Sequence, residues 1–217
     1  MSPESIPHPP VSDRSTWQQA RAELLAAEKA LTRERDRVNA LRRRLPMVAL
    51  ENYVFDGDAG ELRFVDLFAG QRQLIIYHFM FGPEWEAGCP VCTGYMNELC
   101  DLSTLAQRDT TFAIVARAPI HKILDHKHKA GIRFPMYSSF RSTFNFDMGM
   151  SSPDGGEGQG MSVFFQLDGQ VYHTYTTTQR GVEGLTSFDA LLDITPYGRQ
   201  QDFEDSPPGW PQRPTYG

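Results

Sequence analysis

Leu74-Ile75-Ile76-Tyr77-His78-Phe79-Met80-Phe81, then Gly82-Pro83-Glu84-Trp85-Glu86-Ala87-Gly88, then Cys89-Pro90-Val91-Cys92: this stretch decides the fold. A short, nearly continuous apolar run bounded by a Gly/Pro loop reads as a buried strand. The two thiols that follow open a helix expected from about Pro90 to Gln107. The first turn of a helix carries unpaired N–H groups and the positive end of the helix dipole, so a thiolate at Cys89 is stabilised below the ordinary thiol value of about 8.5. Cys89 is therefore the expected nucleophile. Cys92, one turn further along, is placed to resolve a mixed disulfide or a sulfenic acid. Pro90 suits the first helical position, where its missing N–H costs nothing.

Other uses of such a pair are constrained. Half of a zinc site would need a second Cys/His pair at suitable spacing, and none stands out in the chain. A soft-metal site is the alternative: Cys89 and Cys92 with His78 and His173 would suit Cu(I), and Met161 could add a thioether. The first reading needs no cofactor; the alternative needs copper. Cys100, between Leu99 and Asp101, is expected to be a buried apolar thiol. His121, His126 and His128 fall on or beside a Lys-rich helix and are expected to be solvated.

The chain has 217 residues, 40% apolar and 12% aromatic, enough for one α/β core with an appended arm. A net charge of −6 argues against nucleic acid as a partner, and no apolar run reaches the roughly 20 residues needed to span a bilayer. Residues 1–10 are Pro-rich without a basic start or apolar stretch, so no secretory signal is expected and the location is expected to be cytoplasmic. In a reducing cytosol three cysteines do not make a disulfide framework.

From about Val11 to Leu45 the pattern changes. Trp17, Leu24, Leu31, Val38 and Leu45 recur every seven residues, with Ala20, Ala27 and Leu41 between them and Glu34 interrupting the second series. This is a narrow apolar stripe along a charged helix about 50 Å long, capped by Ser12 and stopped by Pro46. A homodimer through this arm is expected. The divisions expected are an arm over 1–46, a globular domain over 47–198 and an irregular tail over 199–217.

The body reads in order. A hairpin turns at Asp56–Gly60; the strand and Cys helix follow; then a strand at 111–116, a helix at about 120–130 and a short strand at 134–137. A second hairpin, 161–167 and 170–176, turns on Asp168-Gly169, and a last helix lies near 185–192. Strand, helix, strand, helix, hairpin, helix is thioredoxin-like order, a mixed central sheet with helices on both faces. Tyr77 to Pro83 with Trp85, Gly88-Cys89-Pro90, Arg133-Phe134-Pro135 with Ser138-Ser139, Phe144 to Asp147, Ser162-Val163-Phe164 and Val171 to Tyr175 resemble the bacterial proteins grouped as domain-of-unknown-function family 899. The resemblance runs from the arm to about Arg199 and implies a thioredoxin-like fold near the peroxiredoxin and alkyl-hydroperoxide-reductase branch.

Two departures bear on chemistry. The peroxiredoxin pattern Pro-x-x-x-Thr/Ser-x-x-Cys is not met, because Pro83 is one residue too close to Cys89 and Glu86 holds the hydroxyl position. The segment facing the dithiol, Gln159-Gly160-Met161-Ser162, has no proline where thioredoxins carry a cis one. The expected activity is thiol–disulfide exchange with a small-molecule or protein thiol or disulfide. Cys89 and Cys92 are its catalytic pair, and Tyr77, Trp85, Met161 and His173 are candidate substrate contacts.

Overall fold

The computed structural model describes residues 6–215; the first five residues of the Pro-rich start lie outside them. The chain divides into two compact units. One is Pro46–Ser187; the other joins the chain up to Leu45 with the chain from Phe188 onward. The second division thus falls before, not after, the segment 188–198.

In the second unit, α1 spans Arg14–Arg42. Its cap is Asp13, one residue later than expected: the carboxylate accepts the Thr16 N–H at 2.8 Å and the Ser15 hydroxyl at 2.7 Å. A carboxylate outcompetes a hydroxyl for unpaired N–H groups near the positive helix end. The heptad stripe is on the helix, but no residue of α1 is buried; Trp17, Leu24 and Leu31 are 50%, 54% and 62% exposed. Towards the C-terminus Arg199 donates to Asp193 at 2.6 and 2.7 Å, and Tyr197 packs edge-on against Trp210.

The unit Pro46–Ser187 is built on one sheet. Its strands are β1 (Val48–Ala49), β2 (Val54–Gly57), β3 (Gly60–Arg63), β4 (Gln73–His78), β5 (Thr110–Ala116), β6 (Met136–Ser138), β7 (Gly160–Leu167) and β8 (Gln170–Thr178). Between them lie α2 (Pro90–Glu98), α3 (Ile120–Ala130) and α4 (Phe144–Asp147); α5 (Ser187–Leu192) belongs, from Phe188 on, to the other unit. The sheet order is β1-β8-β7-β4-β5-β6-β2-β3. Its centre, β8-β7-β4-β5, has β4 parallel to β5 and antiparallel to β7, with α2 and α3 as the crossovers. That is the thioredoxin-like arrangement.

Alternation along the strands assigns residues to two cores. Tyr77, Phe112, Ile114 and Met161 join Cys92 and Met96 of α2 and Ile123 of α3 on one face. Leu74, Ile76, Ala113, Val115 and Phe164 join Phe64, Phe68 and Phe144 on the other. The rings on the second face meet at 5.0–6.1 Å, many of them edge-on, as with Phe64 against Phe144 and Phe164. The β7–β8 turn uses Asp168 at φ 51° and Gly169 at φ 81°, both left-handed, the turn that matches strand twist.

Two expectations are corrected here. The Cys helix stops at Glu98 instead of running to Gln107: Leu99 turns extended and buries, and the Asp101 carboxylate takes the Ser103 N–H at 2.9 Å to begin a separate 3₁₀ turn, Ser103–Arg108. Cys100 is consequently exposed, not buried. The helical period had run two short pieces together.

Candidate functional site: a dithiol at the head of α2

Cys89 is the N-cap of α2 and Pro90 its first residue. Cys92, Met96 and Leu99 form the stripe that faces the sheet, so Cys92 is a core side chain, 1% exposed, while Cys89 is half-buried at the rim. The Cys89 sulfur accepts the Cys92 N–H at 3.5 Å. The hydrogen bond from the Cys92 thiol is the largest influence on Cys89 and the amides of Cys92 and Val91 add to it, against a smaller cost of burial; its pKa falls to about 6. Cys92 moves the other way, pushed up because its proton is held on Cys89 and its charge would be buried. The two thiols are thus pushed in opposite directions, Cys89 towards the thiolate and Cys92 towards the protonated form.

Tyr77 lies beneath the pair. It is 1% exposed and stacks on Tyr95 at 5.3 Å, whose hydroxyl donates to the Val182 carbonyl at 2.7 Å. Burial raises the Tyr77 pKa, so its hydroxyl keeps its proton and favours the Cys92 thiolate beside it. Tyr77, expected as a substrate contact, is thus packed in the same core cluster as Cys92 and closed to solvent. Met161 is registered opposite Tyr77 and is 6% exposed on the same face. Trp85 is half-buried at the edge of this core, its indole lying over Gly82, where an added Cβ would meet Nε1 at 3.0 Å. Its loop is fixed from α3: Lys122 Nζ donates to the carbonyls of Pro83 and Trp85 at 2.9 and 3.1 Å. Glu86 is exposed.

The two histidines of the copper alternative are not brought to the dithiol. His78 follows Tyr77 on β4 and so points to the opposite face, where it stacks on Phe144 at 5.6 Å and its Nε2 bonds Ser162 Oγ at 2.8 Å. His173 is on that face too. A bulge shifts the β7–β8 register between Val163 and Phe164, leaving Thr174 extra; His173 then pairs with Phe164 instead of continuing the side of Tyr175. It bonds Thr176 Oγ1 at 2.6 Å, and Thr176 bonds Ser162 at 2.8 Å, closing a chain from His78 to His173 behind the sheet. Burial, and secondarily His173, holds His78 down to about 3. Both imidazoles therefore lie across the sheet from Cys89 and Cys92. Among the described residues no group of three His, Cys, Asp or Glu side chains converges as a metal would require.

His126, expected to be solvated, belongs to the site. It sits between the rings of Phe79 and Phe81, 5.6 Å from each, and bonds both the residue before Cys89 and the residue after Cys92. Of the surrounding aromatics, Phe79, Phe81 and Trp85 are on the dithiol's side, Phe144 is behind the sheet, and Phe146 is partly exposed under the Arg117 guanidinium.

Strand order, crossovers and a Cys-x-x-Cys at the head of the first crossover helix define a thioredoxin-fold protein with a dithiol site. The chain belongs to the family described as bacterial protein of unknown function (DUF899), which matches residues 6–216. No curated protein matches it. Among solved structures it is similar to a Xanthomonas campestris peroxiredoxin Q mutant, at 14% identity and TM-score 0.47, over 62% of this chain and 85% of that one. It is similar to peroxidoxin BcpB of Mycobacterium tuberculosis at 12% identity and TM-score 0.47, with the same shares of 62% and 85%. A putative thiol:disulfide interchange protein DsbE from Chlorobium tepidum follows at 8% and 0.43, over 61% of this chain and 84% of that one. None of these likenesses bears on the reaction. No helix among the described residues is long and apolar enough to cross a membrane.

Proposed function

We propose that the chain is a thiol–disulfide oxidoreductase that uses Cys89 and Cys92 without a cofactor. The observation that carries this is the placement of the two thiols: Cys89 is half-buried as the N-cap of α2, its sulfur accepting the Cys92 N–H at 3.5 Å, and Cys92 is buried in the core one turn away, with Cys89 lowered and Cys92 raised in pKa. The Cys89 thiolate attacks one sulfur of a substrate disulfide, forming a mixed disulfide and expelling the other half as a thiolate. Cys92 then gives up its proton, which the departing thiolate or water takes, and its sulfur attacks Cys89. The Cys89–Cys92 disulfide forms and the second substrate thiolate leaves. The substrate has gained two electrons and the protein has lost them; a dithiol or two monothiols restore the protein. The hydroxyl of Tyr77 stabilises the Cys92 thiolate as it develops, a hydrogen bond to charge being worth about 1.5–3 kcal/mol.

The substrate is a small-molecule or protein disulfide, met at the exposed side of Cys89 beside Trp85. The protein acts as a homodimer through α1, whose apolar stripe repeats every seven residues and is exposed along its length, a pattern suited to a second copy of the same helix. Reduction of a protein disulfide by excess dithiol tests the reaction. Cys89→Ser is expected to abolish it and Cys92→Ser to stop it at a mixed disulfide on Cys89, with Cys100→Ala unaffected. A Cys92→Ser protein that turns over normally overturns the mechanism.

A further inference from the structure

We propose that His126 is the positioning residue of the dithiol: one neutral imidazole ties Gly88 to Thr93 and thereby fixes the entry of α2 and the placement of the Cys89 sulfur. The chemistry of its partners determines every proton. The Gly88 N–H can only donate, so His126 Nδ1 accepts it, at 3.3 Å. The ring proton is therefore on Nε2 and goes to Thr93 Oγ1 at 3.0 Å. The Thr93 hydroxyl spends its own proton on the Cys89 carbonyl at 2.9 Å, which can only accept. One direction of donation runs from Gly88 through His126 and Thr93 to Cys89, and it spans the whole Cys-x-x-Cys.

The surroundings are built for this ring. Phe79 and Phe81 hold it from the strand side. Gly88 has no side chain where a Cβ would come within 2.9 Å of His126 Nε2 and 2.5 Å of Phe79. Lys122, four residues earlier on α3 and so on the same helical face, holds the other end of the same loop by the carbonyls of Pro83 and Trp85. Cys89 itself is anchored at both backbone ends, its N–H to Met80 at 2.9 Å and its carbonyl under the Thr93 N–H at 3.0 Å. The face of α3 that carries Lys122 and His126 is thus a clamp on the loop from Gly82 to Cys89. Protonating His126 would set an Nδ1–H against the Gly88 N–H, two donors facing each other. Burial already lowers its pKa, with Asp125 opposing and Lys129 adding to that shift from its own helix, while the group facing it from α2 is the neutral Thr93 hydroxyl.

The inference rests on the dithiol reading, but its test does not need turnover. In a Cys100→Ser background, the rate of Cys89 alkylation by iodoacetamide is followed from pH 4 to 10 for the full chain, metal-free. His126→Phe keeps the ring shape without either hydrogen bond and is expected to slow alkylation at pH 6 by about fivefold, its midpoint moving up by about one pH unit. Thr93→Val breaks the next link and should shift the midpoint the same way. His126→Gln, with a neutral acceptor and donor, should recover most of the rate. An unchanged midpoint in both His126→Phe and Thr93→Val overturns the proposal, and so does a Gln variant as slow as the Phe variant. A wild-type Cys89 that titrates like a free thiol would instead sink the dithiol reading. Normal titration control by His126 in a protein without disulfide-reductase activity would retain the clamp and discard the reaction.

Discussion

Gly88→Ala is a one-methyl change whose cost can be worked from contacts. The new Cβ would lie 2.5 Å from Phe79 Cε1, 3.0 Å from its Cζ and 2.9 Å from His126 Nε2, against an ordinary contact of 3.4 Å or more. Something must move by about 0.9 Å. Phe79 is 1% exposed in the core beneath α2 and has no free space to take, so the displaced group is the loop or the imidazole. Overpacking of this kind costs about 1–3 kcal/mol, and the His126 bond to Gly88 adds about 1 kcal/mol when lost. The expected loss is about 2–4 kcal/mol, a large share of the 5–15 kcal/mol typical of a domain. Gly94, six residues on, is the control. It is inside α2, has ordinary helical backbone and nothing within 4 Å of an added Cβ, so Gly94→Ala should stabilise by about 0.4–1 kcal/mol. Urea unfolding of both variants and wild type reads these values. A Gly88→Ala protein as stable as wild type would refute the close approach of His126 and Phe79 to this backbone.

Three further outcomes are expected. Alkylation of Cys89 should be half-maximal near pH 6, whereas Cys92 should stay unreactive in the folded protein until far higher pH; mass mapping of the labelled peptides separates them. His78 is held at about 3 by burial while the unfolded chain takes up that proton below its ordinary 6.5, so its contribution is whole above pH 6.5 and drains as pH falls towards 3, by about 1.4 kcal/mol per unit. Urea unfolding at stepped pH should show a shallower acid slope for His78→Gln than for wild type, and equal slopes would contradict burial as the cause. Sedimentation should find the full chain dimeric and a version starting at Leu45 monomeric; a monomeric full chain would remove α1 from the assembly.

The parts of this molecule that follow local rules were legible in the sequence. The apolar runs 74–81 and 111–116, the Asp168-Gly169 turn and the Cys-x-x-Cys after a strand and loop gave the sheet centre, with the starts of β4, β5 and α2 within a residue of those observed. What was missed depends on events without a local signature. A single extra residue, Thr174, turned His173 to the far face; the Asp101 side chain ended a helix that periodicity extended; and a Leu/Cys neighbourhood that looked buried held an exposed Cys100. Tyr77 was placed on the right strand, but its burial under α2 was not legible, because the strand pattern does not say what lies above a face. His126 carried no motif at all. Its one sequence signal was the four-residue spacing from Lys122, which put two polar side chains on the α3 face that meets the dithiol loop.

The central claim is that Cys89 and Cys92 form a reversible redox pair. The full chain is equilibrated across a series of glutathione redox buffers, quenched with acid and its disulfides mapped by mass spectrometry. The account expects a single two-electron transition in which only Cys89 and Cys92 join and separate, Cys100 taking no part. A Cys89–Cys92 pair that stays reduced in fully oxidised glutathione, or a disulfide that forms through Cys100 instead, would contradict it.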